Sequence, residues 1–257
     1  MIKFTSEEQY ALASASADVM LVNGVCSRHV GLYVDTPPMP PMAEEKMEVT
    51  ETPYANGDLY GRTGVYSDIT LNVRCFVFDG GYHPETIYGF LSGAKKLSFG
   101  NAQEYYYVVK KVVGITPQYQ QGGKNFLNVQ FVCSAFRYRT QNNPIEFTES
   151  PARIVLPTNV YCEPVYKLTV DSERTGAAYF KVNDVELWVL NPAIQTGEVV
   201  VDIPRKKVYM VADGVYTIVQ KYTTGSFWRQ VLKPQENVLT WNDHVTAVSV
   251  TKNERWL

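Results

Sequence analysis

Leu239-Thr-Trp-Asn-Asp-His-Val-Thr-Ala-Val-Ser-Val-Thr-Lys-Asn-Glu-Arg-Trp-Leu257 carries the pattern from which the rest of the chain is read. Leu239 and Trp241 alternate with polar residues, Asn242-Asp243 offers a turn, and Val245 to Val250 is a second apolar-rich run. That pattern predicts two short antiparallel strands closing as a hairpin. Trp256 predicts an end that packs, because a fraying tail has no burial to offer a tryptophan. Upstream, Lys167 to Val170, Phe180 to Val182 with Val185 to Val189, Glu198 to Ile203, and Val208 to Ala212 with Val215 to Val219 read as further strands. Asp213-Gly214 suits a two-residue type I′ turn, which needs two positive φ angles. About seven short strands at this spacing predict a β-sandwich, with jelly-roll order as one option.

The first half alternates as well. Ile69, Leu71, Val73, Cys75 and Val77 are separated by Thr70, Asn72 and Arg74, and Leu127, Val129, Phe131 and Cys133 repeat the pattern. Each predicts a strand with one buried and one wet face. Tyr105 to Val113 is a third run, expected to end at Gly114. Between the first two lies the only segment with a helical pattern: Pro84 in the first turn, an apolar stripe of Ile87, Tyr88, Phe90 and Leu91, and Gly93 as the closing residue. Thr36-Pro-Pro-Met-Pro-Pro-Met42 removes too many backbone donors to be a central strand and reads as a rigid loop. It and the turn at Asn56-Gly57 are candidate partner-contact loops. Thr140-Gln-Asn-Asn-Pro144 is the candidate linker, giving a first β domain at 1–142 and a second at 143–257.

Composition bounds the function. Of 257 residues, 45% are hydrophobic and 19% charged, enough apolar surface for a folded core. Eighteen tyrosines lean the chain towards sheet. A formal charge of −2 without a basic block gives no general grip on DNA or anionic lipid. Lys95-Lys96, Lys110-Lys111 and Arg205-Lys-Lys207 read as solvated strand ends or turns. No apolar run is long enough to span a bilayer, and Met1 to Gln9 lacks a secretory pattern. Cys26, Cys75, Cys133 and Cys162 form no Cys-x-x-Cys pair and are read as reduced thiols. His29, His83 and His244 share no ligand spacing, and nucleophile-elbow and phosphate-loop motifs are absent. No catalytic residue, cofactor site or metal site is therefore assigned. All four tryptophans fall in the second half. Trp188 and Trp241 are read as inward-facing core residues and Trp256 as packing the chain end; an aromatic sugar platform is the competing reading.

Several segments together resemble the distal tail (Dit) family of siphophages. These are Tyr66-Ser-Asp-Ile-Thr-Leu-Asn-Val-Arg-Cys-Phe-Val-Phe78, Phe90-Leu-Ser-Gly93, Leu97-Ser-Phe-Gly-Asn-Ala-Gln-Glu-Tyr-Tyr106 and Val129-Gln-Phe-Val-Cys-Ser-Ala-Phe-Arg-Tyr138 in the first half. Val199-Val-Val-Asp-Ile203, the Tyr209 hairpin, Phe227-Trp-Arg-Gln-Val-Leu-Lys-Pro-Gln-Glu-Asn237 and Glu254-Arg-Trp-Leu257 follow in the second. Gln235 departs from the pattern, since a glycine is usual before Glu-Asn, and this bears on that turn's geometry.

The resemblance implies a mainly β chain: an N-terminal split-barrel or belt domain with one short helix, then a C-terminal galectin-like β-sandwich. It further implies a non-enzymatic hub at the virion tail tip or baseplate, made in the host cytoplasm. Six copies would form a ring joining the tail tube protein to the tail-associated lysin or tail fibre hub and to a receptor-binding protein. The lumen would pass DNA without specific binding, with no membrane involved. The competing expectation is a carbohydrate-binding module that recognises host cell-wall polysaccharide through the second domain.

Overall fold

The computed structural model describes residues 7, 11, 14–51, 57–78, 83–171, 173–174, 176–190 and 197–257. The chain divides into two compact units, Met1–Thr140 with Leu257, and Gln141–Trp256.

The first unit contains β1 (Met20–Val22), β2 (Val25–Cys26), β3 (Tyr33–Thr36), β4 (Glu45–Thr50), β5 (Leu59–Tyr66), β6 (Ile69–Phe78), α1 (Pro84–Ser92), β7 (Lys96–Phe99), β8 (Tyr105–Gln121) and β9 (Lys124–Arg139). Seven of the strands form one antiparallel sheet in the order β2-β1-β7-β8-β9-β6-β3, while among the described residues β4 and β5 pair only with each other. The alternation in β6 and β9 works as the residues require. Ile69, Leu71, Val73, Cys75 and Val77 share one core cluster with Leu127, Val129, Phe131 and Cys133. Helix α1 adds Ile87 and Leu91 to that cluster, with Pro84 and Glu85 in its first turn. Glu85 suits the positive end of the helix dipole. Gly93 ends the helix at φ −87°, so no left-handed cap forms.

Two expectations need correction here. β8 does not stop at Gly114. It runs to Gln121 because β9 offers a partner along its whole length, with bulges that absorb Gly114 and Pro117. Helical structure is also found outside α1, at Glu7, Ala11 and Ser14.

The second unit is a sandwich. One sheet is ordered β10 (Ile145–Phe147), β20 (Val245–Thr251), β12 (Val165–Val170), β15 (Gly197–Asp202), β16 (Lys207–Ala212), β17 (Val215–Ile218). The other is ordered β11 (Ala152–Leu156), β19 (Gln235–Trp241), β13 (Ala178–Val182), β14 (Val185–Val189), β18 (Thr223–Gly225). Their inner faces make one core, and the Tyr166 and Phe180 rings meet edge-on across it with centroids 4.9 Å apart. Burying each such ring stabilises the unit by about 1.5–3 kcal/mol. Asp213 and Gly214 both have positive φ, 50° and 77°, as their hairpin requires.

The expected C-terminal hairpin does not form. β19 and β20 lie in different sheets, and Asn242–His244 carries the chain from one to the other. Both strands bury their apolar residues in the same core, Leu239 and Trp241 from one side and Val245, Val248 and Val250 from the other. A hairpin would align those side chains in one layer; the crossing lets them face each other.

Candidate interaction surfaces

The first unit exposes more apolar surface than its core explains. The β4–β5 arm is solvated on both faces, with Met47, Val49, Leu59, Tyr60 and Val65 exposed. Just before it, Met39 is 96% and Met42 81% exposed in the proline-rich segment. An isolated two-stranded ribbon is marginal by itself, and contiguous apolar exposure of this kind marks an interface. The arm is also acidic, with Glu44, Glu45, Glu48, Glu51 and Asp58 against Lys46 and Arg62. Tyr54 and Asn56 lie outside the described residues.

A second surface is the long edge of β8. β7 pairs with β8 only through Lys96–Val108 and Leu97–Tyr107. Beyond Val109 no described strand takes that edge, and a groove of about 530 Å³ opens beside it, walled by Tyr88, Ser92 and Ala94 and by 110–115. The fold gathers what the sequence separates. The Val109 amide donates to the Lys95 carbonyl at 2.8 Å, so Lys95-Lys96 and Lys110-Lys111 rim one surface. Lys110 is bridged to Asp68 at 2.6 Å, and the Lys96 ammonium lies 4.7 Å from the centre of the Tyr106 ring.

The wet face of β6 and β9 has two parts. One is neutral and polar, with Asn72 and Gln130 directly paired and joined by a 3.1 Å hydrogen bond. The other is aromatic and cationic: Phe76, Phe78, Phe126, Tyr33 and Tyr119 cluster, with the Arg74 guanidinium 4.9 Å from the Phe126 ring centre and the Lys124 ammonium 4.2 Å from that of Phe76. Arg74 is held by Asp35 at 3.3 Å. Opposite this face, burial pushes the Cys75 and Cys133 thiols up to about 12, so both behave as small apolar residues.

The second unit keeps its polar groups busy inside. The Tyr166 hydroxyl donates to the Gln230 carbonyl at 2.9 Å, and burial holds that phenol far above its ordinary range. Asn237, wholly buried, accepts from the Lys233 amide at 2.8 Å and donates to the Lys233 carbonyl at 2.8 Å. It also donates to the carbonyl of Gln235, which sits at φ 71° in the left-handed region that favours glycine. That is the position where the chain departs from the Dit pattern. At the end of the unit, Trp256 Nε1 donates to the Pro157 carbonyl at 3.3 Å, and Arg255 pairs with Glu163 at 3.2 Å.

Of the expected core tryptophans, Trp241 is buried, but Trp188 is 39% exposed. Leu187 and Val189 take the inward positions of β14, and period two turns Trp188 out. There it meets its cross-strand partner Tyr179 with ring centroids 4.5 Å apart, and the Tyr179 hydroxyl donates to Glu186 at 3.1 Å. Among the described residues no three metal-ligating side chains cluster, and no helix is long and apolar enough to cross a membrane.

No family model and no curated protein matches the chain. Its structure, however, is similar to that of SPP1 Dit (gp 19.1), described as a paradigm of the hub adsorption apparatus in phages infecting Gram-positive bacteria. The TM-score is 0.69 over 93% of this chain and 99% of that one, at 13% identity. The chain has the Dit fold. A chain of the phage P2 baseplate in its activated conformation with Ca aligns over 88% of this chain and 91% of that chain, at 7% identity and TM-score 0.43, too low to add to the argument. The mainly β architecture, with a helix-bearing first unit and a sandwich second unit, is that of the Dit fold.

Proposed function

We propose that this protein is a structural hub of a phage tail tip or baseplate, acting as a homo-hexameric ring without enzymatic activity. In this reading the ring joins the tail tube to the tail-associated lysin and the receptor-binding apparatus, and its lumen passes DNA. The observation that carries it is the agreement with SPP1 Dit in both units, in one order and along nearly the whole of both chains. The first unit's surface supports it. A heterologous contact closes into a ring only if one patch meets a different patch of the next copy, and this unit presents two kinds, an acidic apolar arm and an open lysine-rimmed edge. The neutral Asn72–Gln130 lane suits a wall past which DNA slides without adhering. Mass photometry and negative-stain imaging of the purified chain are the test. Hexameric rings with a central hole are expected; a monomer at every concentration examined, and on isolated tails no ring, rejects the reading.

A second reading draws on Trp188. An exposed indole beside Tyr179 and Glu186 combines a stacking face with hydrogen-bonding groups, the chemistry that holds a sugar ring. Calorimetry with host-wall polysaccharide decides: binding lost in Trp188→Ala supports it, and silence of the intact chain removes it.

A further inference from the structure

We infer that the acidic β4–β5 arm of one copy adds as a strand to the open β8 edge of a second copy, seated in the groove beside α1. The inference builds on the ring reading and names the two surfaces that join.

The groove has the build of a strand-addition site. An unpaired strand edge runs along one wall, with a helix as the other. Main-chain bonding to such an edge supplies affinity, while side chains alternating into the groove supply selectivity. From Lys110 to Tyr119 the β8 edge is roughly 33 Å long, more than the roughly 20 Å that the six residues of β4 need. Among the described residues only β5 pairs with β4, on one side of it, which leaves β4 an edge of its own.

The side chains match too. Period two puts Met47 and Val49 on one face of β4, where Tyr88, Ala94, Val112 and Ile115 offer apolar cover. Charge selects the occupant. The groove is lined by the exposed Lys110 and Lys111, the exposed Lys95 lies next to its wall residue Ala94, and the arm brings the exposed Glu44, Glu48, Glu51 and Asp58. Electrostatic matching of this kind sets the partner and the register of docking. In its own copy the arm remains solvated on both faces, so its cover must come from elsewhere. A second copy is the partner whose charge and edge are both on hand.

The test uses the full chain. Val49→Cys and Val113→Cys are combined in one chain; both positions are about half exposed, whereas the four native cysteines are buried. Mild oxidation is expected to link copies into a ladder up to the ring, visible without reductant and collapsing with it. In parallel, Lys95→Glu with Lys111→Glu should weaken assembly about tenfold or more, as should Glu48→Lys with Glu51→Lys, while both pairs together restore it to within about threefold. Monomer melting temperatures should stay unchanged, because every substituted residue is exposed. Rings that persist through the charge reversals with no cross-link overturn this interface and leave the ring reading standing. An unmodified chain that never assembles overturns the ring reading itself, and this inference with it. A cross-link confined to single copies overturns the exchange between copies.

Discussion

The two units solve the same problem, an apolar face on a sheet, in opposite ways. The second covers each apolar face with another sheet, so that Tyr166, Phe180, Leu239 and Val248 meet in one closed core, where the Tyr166 hydroxyl is bonded to the Gln230 carbonyl. The first covers one face with α1 and leaves the arm, the β8 edge and a cationic aromatic cluster at the surface. Both units have edge strands; what sets the first apart is an apolar arm solvated on both faces, the kind of surface that marks an interface.

The comparison breaks most readily at the cores. Phe131 and Phe180 are fully buried, one in each unit, and truncating either to alanine should cost about 3–5 kcal/mol. In denaturant titrations each substitution should shift a different transition. If both move a single shared transition equally, the units fold as one block and the contrast fails. Next in size is Asn237→Ala, which strips the partners from the Lys233 amide and from the Asn183 side-chain amide. A loss of about 2–3 kcal/mol confined to the second unit's transition is expected. A neutral result would mean that the buried network contributes little to the sandwich.

A gain is expected from Gln235→Gly. A residue with a Cβ at φ 71° carries about 1 kcal/mol of strain that glycine avoids. Chemical denaturation should show the second unit stabilised by about that amount, and a destabilised variant would refute the strain argument. The smallest effect belongs to Asp18 in the first unit. Burial raises its carboxyl, but the Ser16 hydroxyl at 2.5 Å, the Arg28 hydrogen bond at 2.6 Å and the Arg28 charge together hold it below its ordinary value of 3.8. A lowered folded value means the contribution is complete above 3.8 and is lost as pH falls through the folded value. The side chain is 38% exposed, so screening limits it to under about 1 kcal/mol. Asp18→Asn should flatten the acid limb of the first unit's stability curve; an unchanged limb would remove the pair from the account.

Much of the fold was legible because period two is a local property. The buried faces of β6 and β9, the Asp213-Gly214 turn and the proline-started α1 depend on neighbours within a few residues. Trp188 was legible in principle, since Leu187 and Val189 claim the inward positions of β14, yet its bulk argued for burial. The candidate surfaces were harder. Lys95 and Lys110 lie far apart in sequence, and only β7–β8 pairing joins them. Glu48 and Lys111 look like ordinary surface charges until the arm and the edge are seen unpaired.

By itself, the sequence determined the buried faces of β6 and β9, the Asp213-Gly214 turn and that the chain is mainly β, because alternation, proline and left-handed turns act over a few residues. Beyond such local hairpins, tertiary structure alone decided which strands pair. The expected hairpin of Leu239 to Val250 shows why. The same alternating pattern satisfies a hairpin and a crossing between sheets, and only burial against Tyr166 and Phe180 selects the crossing. Likewise, whether an edge such as that of β8 is covered or open depends on strands distant in sequence, which no local pattern reports.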